Sequence, residues 1–251
     1  MKENPMSKYN SVLLAMLIMI SVIGGLASAV NAQDLNALKS GNRRFVRGLT
    51  NQTARQYPHQ NKSRLTQNAT GGQQPFVTVI SCSDSRVPVE LVFDAGLGDI
   101  FSIRIAGNVC DIDEAGSIEY GAGHLSTPLL VVMGHTGCGA VTAVVEGAEV
   151  HGSIPALVDN IIPAVDRARS RHPRARGKEL VNYAVTENVW QGIDDLFKIS
   201  EEIRHLVSSG SLDVQGAVYE LETGEVKWLG QHPDQRSLLR YSGGTGTRGG
   251  H

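Results

Sequence analysis

The sequence predicts an α/β fold, a mostly parallel central sheet with an antiparallel edge strand, flanked by helices. Short apolar runs rich in β-branched or bulky residues recur at 76–81 (FVTVIS), 100–105 (IFSIRI) and 129–133 (LLVVM). Both faces of these runs are apolar, as in buried strands of a parallel sheet. Helical patterns separate them, and strand–helix–strand repetition implies helices covering the sheet. Farther on, two more strand-like runs flank Thr223-Gly224, a hairpin signal that adds the antiparallel pair.

Taken in order, residues 1–32 read as a secretory signal peptide. Lys2 and Lys8 give a basic start, and 12–23 is apolar apart from Ser21. Val30-Asn31-Ala32 offers a small-x-small cleavage site, with Ala27-Ser28-Ala29 as an alternative. The apolar stretch falls short of the roughly 20 residues a membrane span needs. Export to the periplasm is therefore expected, with no membrane attachment once the peptide is removed. Leu35, Leu38, Phe45 and Leu49 recur at helical spacings and predict a helix over 33–53. The polar stretch 51–74, ending in Gly71-Gly72, predicts a loop or surface-wrapping segment.

Helices are predicted over 88–93, with Pro88 near the first turn, and over 116–125, 139–145 and 154–168. Basic residues across 167–178 make an exposed connection, and 179–207 predicts one long amphipathic helix ending at Gly210. Strands over 214–219 and 225–229 form the hairpin. From 231 to 251 the chain turns polar and glycine-rich and predicts a disordered tail, leaving one domain over 33–230.

Charge sets one class of function aside. With 23 basic and 25 acidic residues the formal net charge is −2, which offers no electrostatic footprint for nucleic acid. Three cysteines are an odd number, too few for a disulfide framework in an exported protein, so another role is expected for them.

Two polar clusters each follow a predicted buried strand: Cys82-Ser83-Asp84-Ser85-Arg86 and His135-Thr136-Gly137-Cys138. Open parallel sheets bind ligands beyond the carboxyl ends of their strands, often where strand order reverses, so the two turns can converge. Two thiolates and an imidazole make a zinc set that leaves one tetrahedral position for water, the pattern of a catalytic site. Spacing alone leaves two alternatives: packing roles only, or a Cys82–Cys138 disulfide. Asp84 alone reads equally as a helix cap, and Arg86 as a surface charge. Ser83 and Ser85 are expected to hold the turn by local hydrogen bonds, since no histidine base adjoins them. Gly107 is expected to allow a close backbone approach near the metal. His124 and His151 read as structural or exposed.

At these residues the sequence resembles the β-class carbonic anhydrases. C-S-D-S-R followed by a remote G-H-x-x-C-G is that family's signature. It is accompanied, in order, by G-N-R-R-F (41–45), G-L-G-D-I-F (96–101), R-I-A-G-N (104–108), S-I-E-Y (117–120) and G-A-V-Y-E-L-E-T-G (216–224). The resemblance implies Cys82, His135 and Cys138 as Zn²⁺ ligands and Asp84 with Arg86 as a catalytic dyad. It implies reversible hydration of carbon dioxide to bicarbonate and a proton by zinc-bound hydroxide. It also implies homodimers or dimers of dimers in which the N-terminal helix packs on the partner subunit.

The chemistry agrees with those assignments. Zinc acidifies bound water toward a pKa of ~7. Two thiolates cancel the metal's formal charge and make it a poorer acidifier than an all-histidine site. A charge-assisted Asp84–Arg86 pair compensates by holding the carboxylate off the metal, as an acceptor for the hydroxide and a proton relay. Plant-type members carry a glutamine at the position aligned with Gly96, so substrate positioning is expected to differ here. In some bacterial members the aspartate matching Asp84 closes the site, favoured by bicarbonate in a Trp-Arg-Tyr pocket. Tyr219 matches the tyrosine, but Trp190 and Trp228 lie far downstream of Cys82. The pocket is incomplete, and an open site with Asp84 paired to Arg86 is expected.

Two other functions fit the same residues. One is hydrolysis of carbon disulfide or carbonyl sulfide on this scaffold, distinguished by pocket access. The other is a non-catalytic zinc or redox protein, against which an intact Asp84–Arg86 pair argues. Cys110 stands where relatives carry an apolar residue and is expected to be a buried free thiol.

Overall fold

The computed structural model describes residues 32–50 and 57–241; the predicted signal peptide, but for residue 32, and residues 242–251 lie outside them. Among the described residues five strands form one sheet: β1 (Val77–Ser81), β2 (Ile100–Arg104), β3 (Leu129–His135), β4 (Asp213–Tyr219) and β5 (Val226–Gly230). Their spatial order is β2-β1-β3-β4-β5. The first four run parallel and β5 pairs antiparallel with β4, as the sequence predicts.

Every residue of β1 and β3 is buried, which explains their lack of polar alternation. Val77, Val79, Leu129, Val131 and Met133 enter the apolar cluster on one face, while Ile80, Leu130 and Val132 enter the other. Each such side chain contributes about 1.5–3 kcal/mol by burial. Strand β2 departs from the expectation of full burial. It lies at the sheet edge, so Ser102 and Arg104 are exposed.

The first helix, α1, covers 32–46 rather than 33–53, and Gly48 turns the chain at φ +65°. Leu38 is fully buried in this chain's own core, and a Cβ at Gly41 would lie 1.8 Å from the Phe93 carbonyl oxygen. Only glycine lets the helix lie that close. Asn42 donates to the Val92 and Gly224 carbonyls and accepts from the Val226 N–H. This face of α1 is therefore seated on its own sheet and hairpin.

The predicted loop at 51–74 contains helix α2 (Tyr57–Gly71). Its apolar periodicity is weak because polar contacts anchor it: Arg64 to the Leu97 carbonyl and to Asp99, and Asn68 to the Leu97 carbonyl. Helix α3 (Val89–Val92) follows β1, and α4 (Ile112–Glu119) follows β2 with an Asp111/Glu114 capping box. A π-helical turn at Tyr120–His124 continues α4.

Helix α5 (Gly139–Glu146) leads from β3. The single helix predicted over 154–168 is two, α6 (Ile154–Asp159) and α7 (Ile162–Arg171). Pro163 explains the break, because it has no N–H and its ring would clash with the carbonyl four residues earlier, at Asp159. The long helix predicted over 179–207 is also two, α8 (Gly177–Ile199) and α9 (Glu201–Ser208). Ser200 leaves helical geometry at φ −102°, ψ 110°, caps the Ile203 N–H and donates to Glu119. The predicted tail is ordered through residue 241. Gln231 bonds Asp213, His232 is buried 3.3 Å from Asp194, and Gln235–Leu238 form α10. The glycine-rich run begins only at 243, after Leu238 and Leu239 have packed on the core.

Candidate active site

The chain leaves β1 toward β2 on one side, then crosses to β3 on the other, so strand order reverses between β1 and β3. That switch point opens a crevice at the carboxyl ends. Cys82 follows the last residue of β1, and His135 is the last residue of β3. Gly137, at φ +64°, turns the chain so that Cys138 caps α5. Cys82, His135 and Cys138 thereby meet: all three are buried and their ligand atoms lie within 4.8 Å of one another. All three cysteines are free thiols, which removes the Cys82–Cys138 disulfide alternative.

The donor chemistry suits a soft divalent cation such as zinc. His135 Nδ1 lies 3.0 Å from the Thr136 carbonyl oxygen, which only accepts, so Nδ1 carries the proton. Nε2 is then the bare nitrogen, and it is buried without a hydrogen-bond partner. A buried acceptor left unpaired costs about 1–3 kcal/mol, a cost that a metal at this point removes.

The two sulfurs act as one unit. Cys82 is held down at about 4 by a hydrogen bond from the Cys138 thiol, opposed by burial and aided by the Asp84 and Gly107 N–H groups. Donation to Cys82, burial and the Cys82 charge push Cys138 up, although the Val141 and Ala140 N–H groups of α5 favour its thiolate. The pair thus shares a proton in a place where a cation would replace it.

Asp84 and Arg86 form the predicted dyad. The Arg86 guanidinium donates to Asp84 through Nε at 2.9 Å and Nη2 at 2.7 Å, and the Arg86 main-chain N–H adds a third bond at 2.9 Å. This two-pronged grip holds the Asp84 carboxyl well below the usual carboxylate range. Asp84 Oδ2 lies 3.8 Å from His135 Nε2, at the edge of the ligand cluster. Asp84 is not a helix cap, since Pro88 holds the N-cap position of α3; its carboxylate accepts instead from the Arg86 N–H two residues on.

Three contacts at the site escape sequence reasoning. Arg104 donates to the carbonyls of Cys82 at 3.2 Å and Asp84 at 2.7 Å, fixing the loop from the end of β2. Its place in R-I-A-G-N, after a strand beside β1, is the signal that could have found it. The expected role of the Ser83 and Ser85 hydroxyls in holding the turn passes to Arg104 and to the Ser83 N–H, which bonds the Ile105 carbonyl at 3.2 Å. Gly107 approaches as expected: at φ +69° its N–H reaches Cys82 Sγ at 3.3 Å. Asn188 on α8 donates to the Gly107 carbonyl at 2.6 Å, a contact across 81 residues that no local pattern announces.

The remaining expectations also find places. His151 is exposed, and His124 is exposed and stacks on Tyr120. Gly96 sits under α2, where a Cβ would lie 3.1 Å from the Arg64 guanidinium. Tyr219 is buried on β4 in register with His135. Trp228 stands opposite Ala217 on β5, and Trp190 covers Gly216.

Comparison with known proteins points the same way. The carbonic anhydrase family profile matches residues 77–226. Carbonic anhydrase 2 of Mycobacterium tuberculosis is 36% identical over 192 residues, covering 75% of this chain and 87% of the relative. A carbonic anhydrase of Synechococcus elongatus is 33% identical over 193 residues, covering 73% and 70%. Among solved structures, the β-carbonic anhydrase CafA of Aspergillus fumigatus superposes with a TM-score of 0.61 at 26% identity, covering 72% of this chain and 86% of that one. One of two tetrameric β-carbonic anhydrases of Sordaria macrospora gives 0.60 at 29% identity, covering 68% and 88%. The matched span runs from the first strand through both metal-site turns to the hairpin, and the chain belongs to the β-carbonic anhydrase family of zinc enzymes.

Proposed function

We propose that this enzyme converts carbon dioxide and water reversibly to bicarbonate and a proton, with Cys82, His135 and Cys138 holding zinc and Asp84 and Arg86 serving as the dyad. The observation that carries the reading is a buried two-sulfur, one-nitrogen cluster with a carboxylate beside it that is already committed to an arginine. Zinc bound there supplies a Lewis acid that lowers the pKa of water toward ~7. Asp84 supplies an acceptor of fixed direction. Its Oδ2 lies close enough to His135 Nε2 to take a hydrogen bond from water at the cluster, which aims the water's lone pair away from the carboxylate. Arg86 occupies both carboxylate oxygens and keeps Asp84 an acceptor rather than a fourth ligand. Its guanidinium is more than half exposed, so the dyad stands at the solvent boundary; a carboxylate held this acidic orients water as a hydrogen-bond acceptor and leaves the proton to solvent.

Asp84→Asn tests this assignment. The amide keeps the shape and loses the anionic acceptor, so zinc content should stay near one per chain while turnover falls about 100-fold or more. Wild-type turnover in the zinc-loaded variant refutes the role. The reading also includes export directed by residues 1–32 and assembly into homodimers or dimers of dimers. The Sordaria relatives described as tetrameric support the latter.

A further inference from the structure

The turn Ala106–Asn108 carries two successive left-handed residues, Gly107 at φ +69° and Asn108 at φ +45°. Glycine adopts this region freely, so Asn108 is the residue that its surroundings must hold there. Helix α8 supplies the hold at two positions one turn apart. Asn188, 2% exposed, donates to the Gly107 carbonyl at 2.6 Å. At Gly192 a Cβ would already stand 3.3 Å from the Asn108 carbonyl oxygen, so the helix backbone lies directly on the turn. From the other side a Cβ on Gly107 would meet Ile161 at 2.7 Å and Ala140 at 3.2 Å. Held between these, Gly107 aims its N–H at Cys82 Sγ.

We infer that Asn188 is a positioning residue for the metal centre, setting the donor strength of the Cys82 sulfur by clamping Gly107 so that its N–H stays on that sulfur. The inference rests on the reading of Cys82 as a ligand. An N–H directed at a thiolate withdraws electron density from it. With two thiolates in the ligand set, each such bond leaves the metal a stronger Lewis acid than the sulfurs alone would allow. Partners of this kind orient ligands and typically change metal affinity by 10–100-fold. Asn188 anchors the 107–108 peptide, and the N–H on the sulfur belongs to the 106–107 peptide; without Nδ2 the φ and ψ of Gly107, which join the two planes, can relax and draw that N–H off the sulfur.

The test uses the whole protein with Co²⁺ in place of zinc, reading the sulfur-to-metal charge-transfer band, and zinc affinity by competition with a chromogenic chelator. Asn188→Leu should move the band to longer wavelength, because a sulfur without its N–H gives up charge more readily. The sulfur also loses the contact that orients it in the cluster, so the zinc dissociation constant should rise roughly 10-fold although the freed sulfur is the better donor. Asn188→Ser removes the same reach with a smaller side chain and should behave alike, which keeps the test open if the leucine variant does not fold. Gln191→Leu, which breaks the neighbouring Arg167–Gln191–Asp195 contacts on the same helix, should lower stability yet leave band and affinity in place. Folded Asn188 variants with the wild-type band and affinity overturn the inference, provided Cys82→Ser changes the band. If Cys82→Ser leaves it intact, the ligand assignment itself has failed.

Discussion

Replacing Arg86 with alanine should separate catalysis from stability. The guanidinium is 58% exposed, and an ion pair so open to solvent adds little to folding. The melting temperature should therefore move by no more than ~2–4 °C. The effect on the site should be far larger. Alanine retains the main-chain N–H that bonds Asp84 Oδ1, so the carboxylate stays tethered at one oxygen. It loses both side-chain bonds, and Oδ2, 3.8 Å from His135 Nε2, becomes free to turn onto whatever that nitrogen binds. A misdirected proton acceptor costs roughly 10²–10⁴ in rate, and 100-fold corresponds to about 2.7 kcal/mol. Stopped-flow CO₂ hydration with a pH indicator, at verified zinc content, measures this, with thermal melts run alongside. Arg86→Lys should fall between, because lysine keeps the charge and loses the fork. Turnover within twofold of wild type in Arg86→Ala, or a loss matched by unfolding, would refute the reasoning.

Other expectations follow from single contacts. Gly107→Ala puts a side chain on a left-handed residue and into Ile161, so it should cost roughly 2–5 kcal/mol in urea unfolding and weaken zinc retention. Cys110 is buried and pushed well above the ordinary thiol range, chiefly by burial. It should resist thiol reagents until the protein is denatured, and non-reducing electrophoresis should show no covalent dimer. Ser200→Ala removes both the α9 cap and the bond to Glu119, and chemical denaturation should report a loss of about 1–2 kcal/mol.

Strand existence and order of type were legible because β1 and β3 need apolar side chains on both faces, and few other structures demand that of so short a run. The edge position of β2 was not legible: Ser102 and Arg104 look alike in a sequence whether or not another layer covers their face of the sheet. Helix α2 escaped because its stabilising contacts are polar and lie on another segment, Leu97 and Asp99, leaving no apolar stripe to read. The two breaks in the C-terminal half were written in local chemistry. Pro163 forbids continuation of α6, and Ser200-Glu201-Glu202 is a cap followed by acidic first-turn residues. At the site, spacing after two buried strands let Cys82, His135 and Cys138 converge but left packing and disulfide alternatives open; the C-S-D-S-R and G-H-x-x-C-G motifs were what assigned them, with Asp84 and Arg86. Arg104 and Asn188 act on main-chain carbonyls, and a carbonyl has no residue type for a sequence to display.

The most direct test pairs zinc analysis with CO₂ hydration in the purified protein and in Cys82→Ser, His135→Ala and Cys138→Ser. The account predicts about one zinc per chain and rapid hydration in the wild type. Each variant should lose metal and turnover together, since the three ligand atoms form a single cluster. Full zinc occupancy in an inactive ligand variant, or hydration by a variant that holds no zinc, contradicts it.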